Sequence, residues 1–176
     1  MDAVPPKPII PDAFSALVRN PVKFRLFLLT KLPAAFFAGL KLRKLSPESC
    51  TVTIPFKWFT QNPFRSIYFA CLSMAAELST GVLAMGAIYR QKPAVSMLVT
   101  GLEARFFKKA TGIITFTCFD GIAIYEAVGE AKETGLGKAV TVTSIGKNNA
   151  GEIVAEFRFT WSFKAKAKPA TSTVVA

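Results

Sequence analysis

The stretch QNPFRSIYFACLSMAAELSTG, residues 61–81, decides how the rest of the chain must fold. After its first few residues it is almost entirely apolar, and the apolar side chains are distributed nearly all round a helix rather than along one stripe. A helix with this pattern has to be buried. We therefore predict a long helix over residues 66–86 at the centre of the molecule, with one carboxylate, Glu77, in its middle.

The remaining sequence supplies strands that can cover such a helix. Residues 153–164 alternate between apolar and polar side chains, which is typical of an antiparallel strand with one covered face. Shorter patterns of period two predict the other strands. In the predicted strand at residues 51–59, Pro55 favours a position at the sheet edge. The sequence KKATG predicts a turn between the strands at residues 95–107 and 112–119. The remaining predicted strands are residues 40–46, 51–59, 95–107, 112–119 and 139–146.

These patterns predict an α+β fold in which one mostly antiparallel sheet of about six strands wraps around the central helix. A second helix is predicted over residues 122–135. We divide the chain into an N-terminal segment (1–32), a main domain (33–164) and a flexible tail (165–176).

The N-terminal segment should begin irregularly and then form two helices. Asp12 is placed to cap the first, and Asn20 followed by proline is a start signal for the second. In the second helix, Phe24, Phe27 and Leu28 share a face, with lysines off it. Two interpretations stay open: a helix packed on the domain, or a helix that lies on a membrane surface through residues 21–38.

Composition limits the function classes. The chain has 22 Lys and Arg against 11 Asp and Glu, a net charge of +11, which favours anionic partners. The cations are dispersed and no nucleic-acid-binding motif occurs, so we expect no nucleic-acid partner. With no histidine, the chain has no imidazole base, and we expect neither a metal site nor a cofactor.

The cysteines and the apolar runs bear on location. The odd number of cysteines, without a CxxC pair, favours reduced core thiols in a cytoplasmic protein. They are Cys50, Cys71 and Cys118. We expect no transmembrane span near the start, because residues 26–40 are interrupted by Lys31 and Pro33.

Glu77 has small or polar neighbours on its helix face. A step of three or four residues in either direction reaches small and polar residues, which form a narrow groove that another chain or a thin ligand can approach. A structural role for Glu77 stays open, with a hydrogen bond from Ser73 or an ion pair with an arginine across an interface. The functional alternative is a carboxylate that activates water, since burial raises a carboxyl pKa. The groove residues are Ser66, Ala70, Ser73, Thr80, Gly81 and Ala84.

Residues 62–77, NPFRSIYFACLSMAAE, resemble the signature of hotdog-fold thioesterases of the phenylacetate-pathway type, in an uncharacterised thioesterase-like branch. That signature has an Asn, a His-Gly-Gly-type loop that opens the central helix, and an acid fifteen residues after the Asn. Asn62 and Glu77 have this separation. The resemblance implies that Glu77 is the base or nucleophile on an acyl-CoA thioester and that Asn62 positions the water or the substrate. It implies an oxyanion donor in the backbone N–H of Phe69 or Ala70, with Ser73 and Thr80 as supporting residues.

The resemblance also implies an acyl-CoA or related thioester as partner, bound at a site between subunits of a homodimer or a dimer of dimers. Candidate contacts to the coenzyme A phosphates are the KLRK sequence at residues 41–44, Arg90, Lys92, Arg105, Lys108 and Lys109. Where the family has His-Gly-Gly, this chain has Tyr68, Phe69 and Ala70. These side chains favour the alternative of a non-catalytic acyl-CoA or lipid-binding hotdog protein. Weak membrane association is a third hypothesis.

Overall fold

The computed structural model describes residues 10–166 of the chain. The irregular start predicted for the chain lies largely, and the predicted tail (165–176) mostly, outside the described residues; Ala165, which the prediction assigns to the tail, is the last residue of a strand. The helices and strands within the described part confirm the α+β class. The helices are α1 Asp12–Arg19, α2 Pro21–Lys31, α3 Pro33–Ala38, α4 Phe69–Ile88 and α5 Gly121–Thr134. The strands are β1 Lys41–Leu45, β2 Cys50–Pro55, β3 Val95–Phe106, β4 Ile113–Cys118, β5 Lys138–Lys147 and β6 Ile153–Ala165.

The six strands form one antiparallel sheet, as predicted, and their order in it is β1-β2-β4-β5-β6-β3. The inward side chains of β6 form the centre of the core: Phe157, Phe159, Trp161 and Phe163 are all buried. Phe157 contacts Phe116 of β4 edge to face. The sheet therefore wraps around α4, the arrangement the sequence predicts.

Helix α4 is the buried centre of the protein. It begins at Phe69 rather than at residue 66, so Ser66 lies in the preceding loop and not on the helix face of Glu77. Its length and composition would be enough to cross a membrane, yet 72% of its apolar window is buried inside the protein. That burial is the arrangement of a core helix.

The predicted edge position of β2 is wrong. β2 is not an edge strand, because it lies between β1 and β4. Proline has no N–H to donate to a neighbouring strand, but β1 pairs with β2 only as far as Thr53. Pro55 lies beyond that point, opposite Ile113 of β4, and is therefore tolerated. β3 and β4 flank the KKATG sequence, and β3 pairs with β6 at the far edge of the sheet.

The N-terminal helices pack against one end of this core. Asn20 caps α2 as predicted, its Oδ1 accepting from the backbone N–H groups of Val22 and Lys23 at 3.0 Å. Asp12 does not cap α1; it is the first helical residue, and Pro11 occupies the cap position. Phe24 and Leu28 of α2 are buried against the domain.

The three cysteines are buried and free. Cys50 of β2 lies directly opposite Cys118 of β4 in the sheet register. Burial raises the pKa of the Cys118 thiol to about 12. Both thiols are therefore held as neutral core side chains.

Candidate functional site

Glu77 lies on a stripe of α4 that no element among residues 10–166 covers. Its side chain is exposed, and Ala70, Ser73 and Met74 of the same face are half-buried, whereas Ala76 and Leu78 beside it are buried. The helix is buried, as predicted, but the acid is not buried with it. The carboxylate is therefore accessible from outside the protomer.

The Glu77 side chain borders a cavity of about 440 Å³. That volume is within the range of small-molecule sites. The walls come from α2, α3, α4 and the two strands that end the sheet, and Glu77 is the only acid among them. The cavity is lined by Lys31, Leu32, Pro33, Ala34, Ala35, Met74, Glu77, Leu78, Gly81, Met85, Met97 and Trp161.

The Glu77 carboxylate has no partner within residues 10–166. The hydrogen bond from Ser73 that a structural role would use is not formed, and no cation in the described part of the chain lies within ion-pairing distance. The side chain is open to solvent on one side, but the cavity walls desolvate the carboxyl and raise its pKa above the ordinary value. A carboxyl shifted in this direction is a better proton acceptor near neutral pH than an ordinary one.

Thr80, predicted as a supporting residue, is fully buried and uses its hydroxyl in the scaffold. Its Oγ1 donates to the backbone carbonyl of Glu77 at 2.9 Å and accepts from Trp161 Nε1 at 3.0 Å. The hydroxyl therefore points into the protein. It fixes the indole that forms one wall of the cavity.

Asn62 organises the loop before α4. Its Oδ1 accepts from the backbone N–H groups of Phe64 at 3.0 Å and Ser66 at 3.2 Å, and its Nδ2 donates to Ser66 Oγ at 3.1 Å. It lines a second cavity of about 510 Å³ together with Phe69. Asn62 and Glu77 thus line different cavities of the same protomer.

The N-terminus of α4 offers free donors at this second cavity. The N–H groups of Phe69 and Ala70 have no acceptor within residues 10–166, because the first bonds of the helix are made by Cys71 and Leu72 to Tyr68 O. The exposed rings of Tyr68 and Phe69, with centroids 4.9 Å apart, stand where the resembling family has glycines. At 1.5 Å per residue, Phe69 lies about 12 Å along the axis from Glu77.

The predicted phosphate contacts fall into separate groups. Lys108 and Lys109 line the Asn62 cavity, although the Lys108 ammonium already pairs with Glu152. Arg105 is exposed on β3 close by in sequence. At the other end of α4, the guanidinium of Arg90 lies 5.2 Å from the centre of the Tyr89 ring, and Lys92 lines a third cavity.

The KLRK sequence lies elsewhere. Lys41, Arg43 and Lys44 line a cavity of about 820 Å³ between β1 and the first two helices, together with Arg19 and Arg25. Sequence analysis did not join the α1 and α2 cations to this group. It also missed Lys31, Leu32 and Trp161 as walls of the Glu77 cavity, because no local pattern connects them to residue 77. Within the described residues, no three Cys, Asp or Glu side chains converge as a metal site.

Comparison with known proteins agrees with this architecture. Residues 22–163 match the family model described as a domain of unknown function, DUF4442, and the chain belongs to that family. No curated protein matches significantly.

Solved structures share the fold along nearly their whole length. A Pseudomonas aeruginosa protein of unknown function, described as a probable thioesterase, is 23% identical with a TM-score of 0.70, over 83% of this chain and 97% of that one. A putative thioesterase from Shewanella oneidensis is 10% identical with a TM-score of 0.68, over 86% and 99%. A Haemophilus influenzae thioesterase is 10% identical with a TM-score of 0.57, over 82% and 92%. These likenesses show that the chain has the fold of these proteins, the hotdog fold predicted from its sequence.

Proposed function

We propose that the protein is an acyl-CoA thioesterase in which Glu77 removes a proton from the attacking water. The observation that carries this proposal is an unpaired carboxylate of raised pKa, on the uncovered stripe of the central helix, at the edge of an apolar cavity. Water oxygen bonds to the thioester carbon, the C–S bond breaks, and the proton taken by Glu77 passes to the departing thiolate. The products are a carboxylic acid and free coenzyme A.

The acyl group would enter the Glu77 cavity, whose walls are mostly apolar. The coenzyme A phosphates would meet Arg105 and Lys109 beside the N-terminus of α4, with Arg90 and Lys92 as a second group. The substrates that we propose include aryl thioesters of the phenylacetate-pathway type. The mechanism uses no cofactor, and we propose a cytoplasmic location.

We propose that a second copy of the chain completes the site. Phe69 and Glu77 are each four residues from Ser73. A two-fold axis that crosses α4 near Ser73 would pack two α4 helices antiparallel and set the Phe69 N–H of one copy opposite Glu77 of the other. Small residues at the crossing permit close approach. Such a dimer would also cover Leu102 and Phe106, which are each about half exposed on the inner face of β3.

A second candidate is a protein that binds acyl-CoA without cleaving it. The rings of Tyr68 and Phe69 favour it, because they are exposed at the helix start where a thioester carbonyl would have to reach the backbone N–H groups. In that case Glu77 would contribute to the shape and charge of the cavity alone.

The test is hydrolysis of a panel of acyl-CoAs, short-chain, aryl and long-chain, followed by thiol release. We expect Glu77→Gln to lower turnover about 100- to 10,000-fold with unchanged acyl-CoA affinity, since a general base contributes about that much. Glu126→Gln, which alters an exposed acid on α5, is the matched control and should keep full turnover. Binding without hydrolysis by the wild type would establish the second candidate, and full turnover in Glu77→Gln would exclude the mechanism.

A further inference from the structure

We propose that the outer surface of α2 and α3 docks on an anionic lipid membrane, so that the Glu77 cavity opens beside the bilayer. This inference goes beyond the proposed hydrolysis and does not depend on it. It rests on a second apolar stripe, on the charge around that stripe, and on where the stripe ends.

Helix α2 is apolar on two opposite faces. Phe24 and Leu28 are buried against the domain. On the other side, Val22, Leu26 and Leu29 are 75%, 60% and 42% exposed. Their spacing of four and three residues puts them on one line of the helix surface. The predicted pattern of one apolar and one basic face is therefore incomplete, since the face turned away from the domain is also apolar.

Further apolar side chains are exposed beyond α2. Leu32 and Phe37 are 39% and 53% exposed, and the Phe37 ring lies 6.2 Å from that of Phe59. Trp58, in the same short helical turn as Phe59, is 82% exposed. Exposed leucine, phenylalanine and tryptophan side chains are those that interfacial helices insert at the boundary between headgroups and acyl chains.

The charge around this stripe selects an anionic membrane as its occupant. Between Asp12 and Glu77, Glu48 is the only acid, and nine residues are basic. Lys23 and Arg25 neighbour the stripe on α2 itself. Five of the nine line the adjoining cavity between α1, α2 and β1, on the side of α2 that carries Phe24. Two copies of this chain meeting through the same surface would bring like charges together, whereas a layer of anionic headgroups would neutralise them. The nine are Arg19, Lys23, Arg25, Lys31, Lys41, Arg43, Lys44, Lys57 and Arg65.

The position of the stripe gives the docking a consequence for the site. Lys31, Leu32 and Pro33, at the end of α2 and the start of α3, also line the Glu77 cavity. A membrane held against α2 would therefore stand next to the mouth of that cavity. Ligands with an acyl chain already in the bilayer could enter without crossing water.

The test is sedimentation of the full chain with vesicles of phosphatidylcholine, with or without about 30% phosphatidylserine. We expect binding to the anionic vesicles that weakens as salt is raised, and little binding to the neutral ones. Leu26→Gln combined with Leu29→Gln should weaken binding at least about tenfold. Lys23→Gln combined with Lys44→Gln should weaken it about fivefold for each lysine removed.

Matched controls separate a docking surface from general stickiness. Ile122 and Leu136, on and after α5, are 46% and 67% exposed, close to the values for Leu29 and Leu26. Their change to Gln should leave vesicle binding unchanged. Lys147→Gln with Lys164→Gln removes the same charge from β5 and β6 and should also bind like the wild type. Because every substituted side chain is exposed, melting temperatures should stay within about 2 °C of the wild type.

Three outcomes would overturn the proposal: no sedimentation of the wild type with anionic vesicles, equal loss in the Lys147/Lys164 control, or full binding by the Leu26/Leu29 variant. A change of subunit number in that variant would assign the stripe to a second copy instead. The Glu77→Gln variant should bind vesicles like the wild type, so failure of the docking proposal and failure of the proposed hydrolysis are distinguishable.

Discussion

On the covered face of α4 the buried hydroxyls have partners, while the carboxylate on the uncovered face has none within the described residues. Ser79 Oγ donates to Ala76 O and shares a hydrogen bond of 2.7 Å with Ser144 Oγ of β5. Thr80 bridges its own helix and Trp161. Glu77 is adjacent in space to these bonds but takes part in none of them with its side chain.

This difference separates scaffold from site along a single helix. Buried polar groups are paired because an unpaired one costs stability, and the covered face follows that rule. The uncovered face leaves a charged group free, at a pKa raised by desolvation. A free group of this kind is available to a substrate or to a second subunit.

The largest effect is expected when a carboxylate is placed on the covered face of α4 instead of the uncovered one. Ala76 is fully buried, so Ala76→Glu would bury a charge and overfill the core at a cost above about 4 kcal/mol, and the protein should not fold. Ser73→Glu, on the half-buried stripe, should fold. Under the proposed two-fold axis it would set two carboxylates against each other and yield a monomer. Circular dichroism and light scattering measure both. A folded Ala76→Glu protein would show that the covered face has been misassigned.

The hydrogen bond between Ser79 and Ser144 allows an intermediate test. Ser79→Ala leaves the Ser144 hydroxyl buried without its partner and should lower the free energy of unfolding by about 1–3 kcal/mol, with turnover unchanged. Urea unfolding measures the loss. The double variant Ser79→Ala/Ser144→Ala removes both hydroxyls and should recover part of it. A double variant whose loss is the sum of two full penalties would contradict this account.

The smallest expected effect is the pH dependence of stability contributed by Glu77. Its pKa is raised above the usual value of 4.5 in the folded protein, so the folded state holds this proton more tightly than the unfolded state. Stability from this group is therefore lost as pH rises from the usual pKa through the raised one. Glu77→Gln does not titrate, and it should gain stability relative to the wild type over that range. Unfolding at a series of pH values tests the sign; a relative loss would mean that the carboxylate is paired in the native state.

The features predicted correctly from sequence are those set by local patterns. The alternation in β6 and the apolar composition of α4 each require a covered face, and Asn20-Pro21 contains its own capping chemistry. Each of these signals depends only on residues within one helix or strand, so it can be read without knowing the rest of the fold. The sheet around a central helix follows from them.

The features that sequence could not give depend on which elements meet. Pro55 predicts an edge only if the neighbouring strand runs past it, and β1 ends first. An apolar helix shows where side chains are, but not which stripe stays uncovered, so the exposure of Glu77 could not be predicted. Leu32 and Trp161 reach the cavity from elements far along the chain. The two apolar stripes of α2 can be recognised in the sequence, but only the fold shows which one faces outward.

The position of β3 and β6 at one end of the sheet has a consequence for synthesis of the chain. Helix α4 is finished at Ile88, but the strand that supplies its largest aromatic cover ends at Ala165, 77 residues later. At about 5–20 residues per second, the ribosome needs about 4–15 s to make that interval. During this time the most apolar segment of the protein lacks the cover that β6 provides. We expect the nascent chain to engage chaperones over α4 until β6 is released.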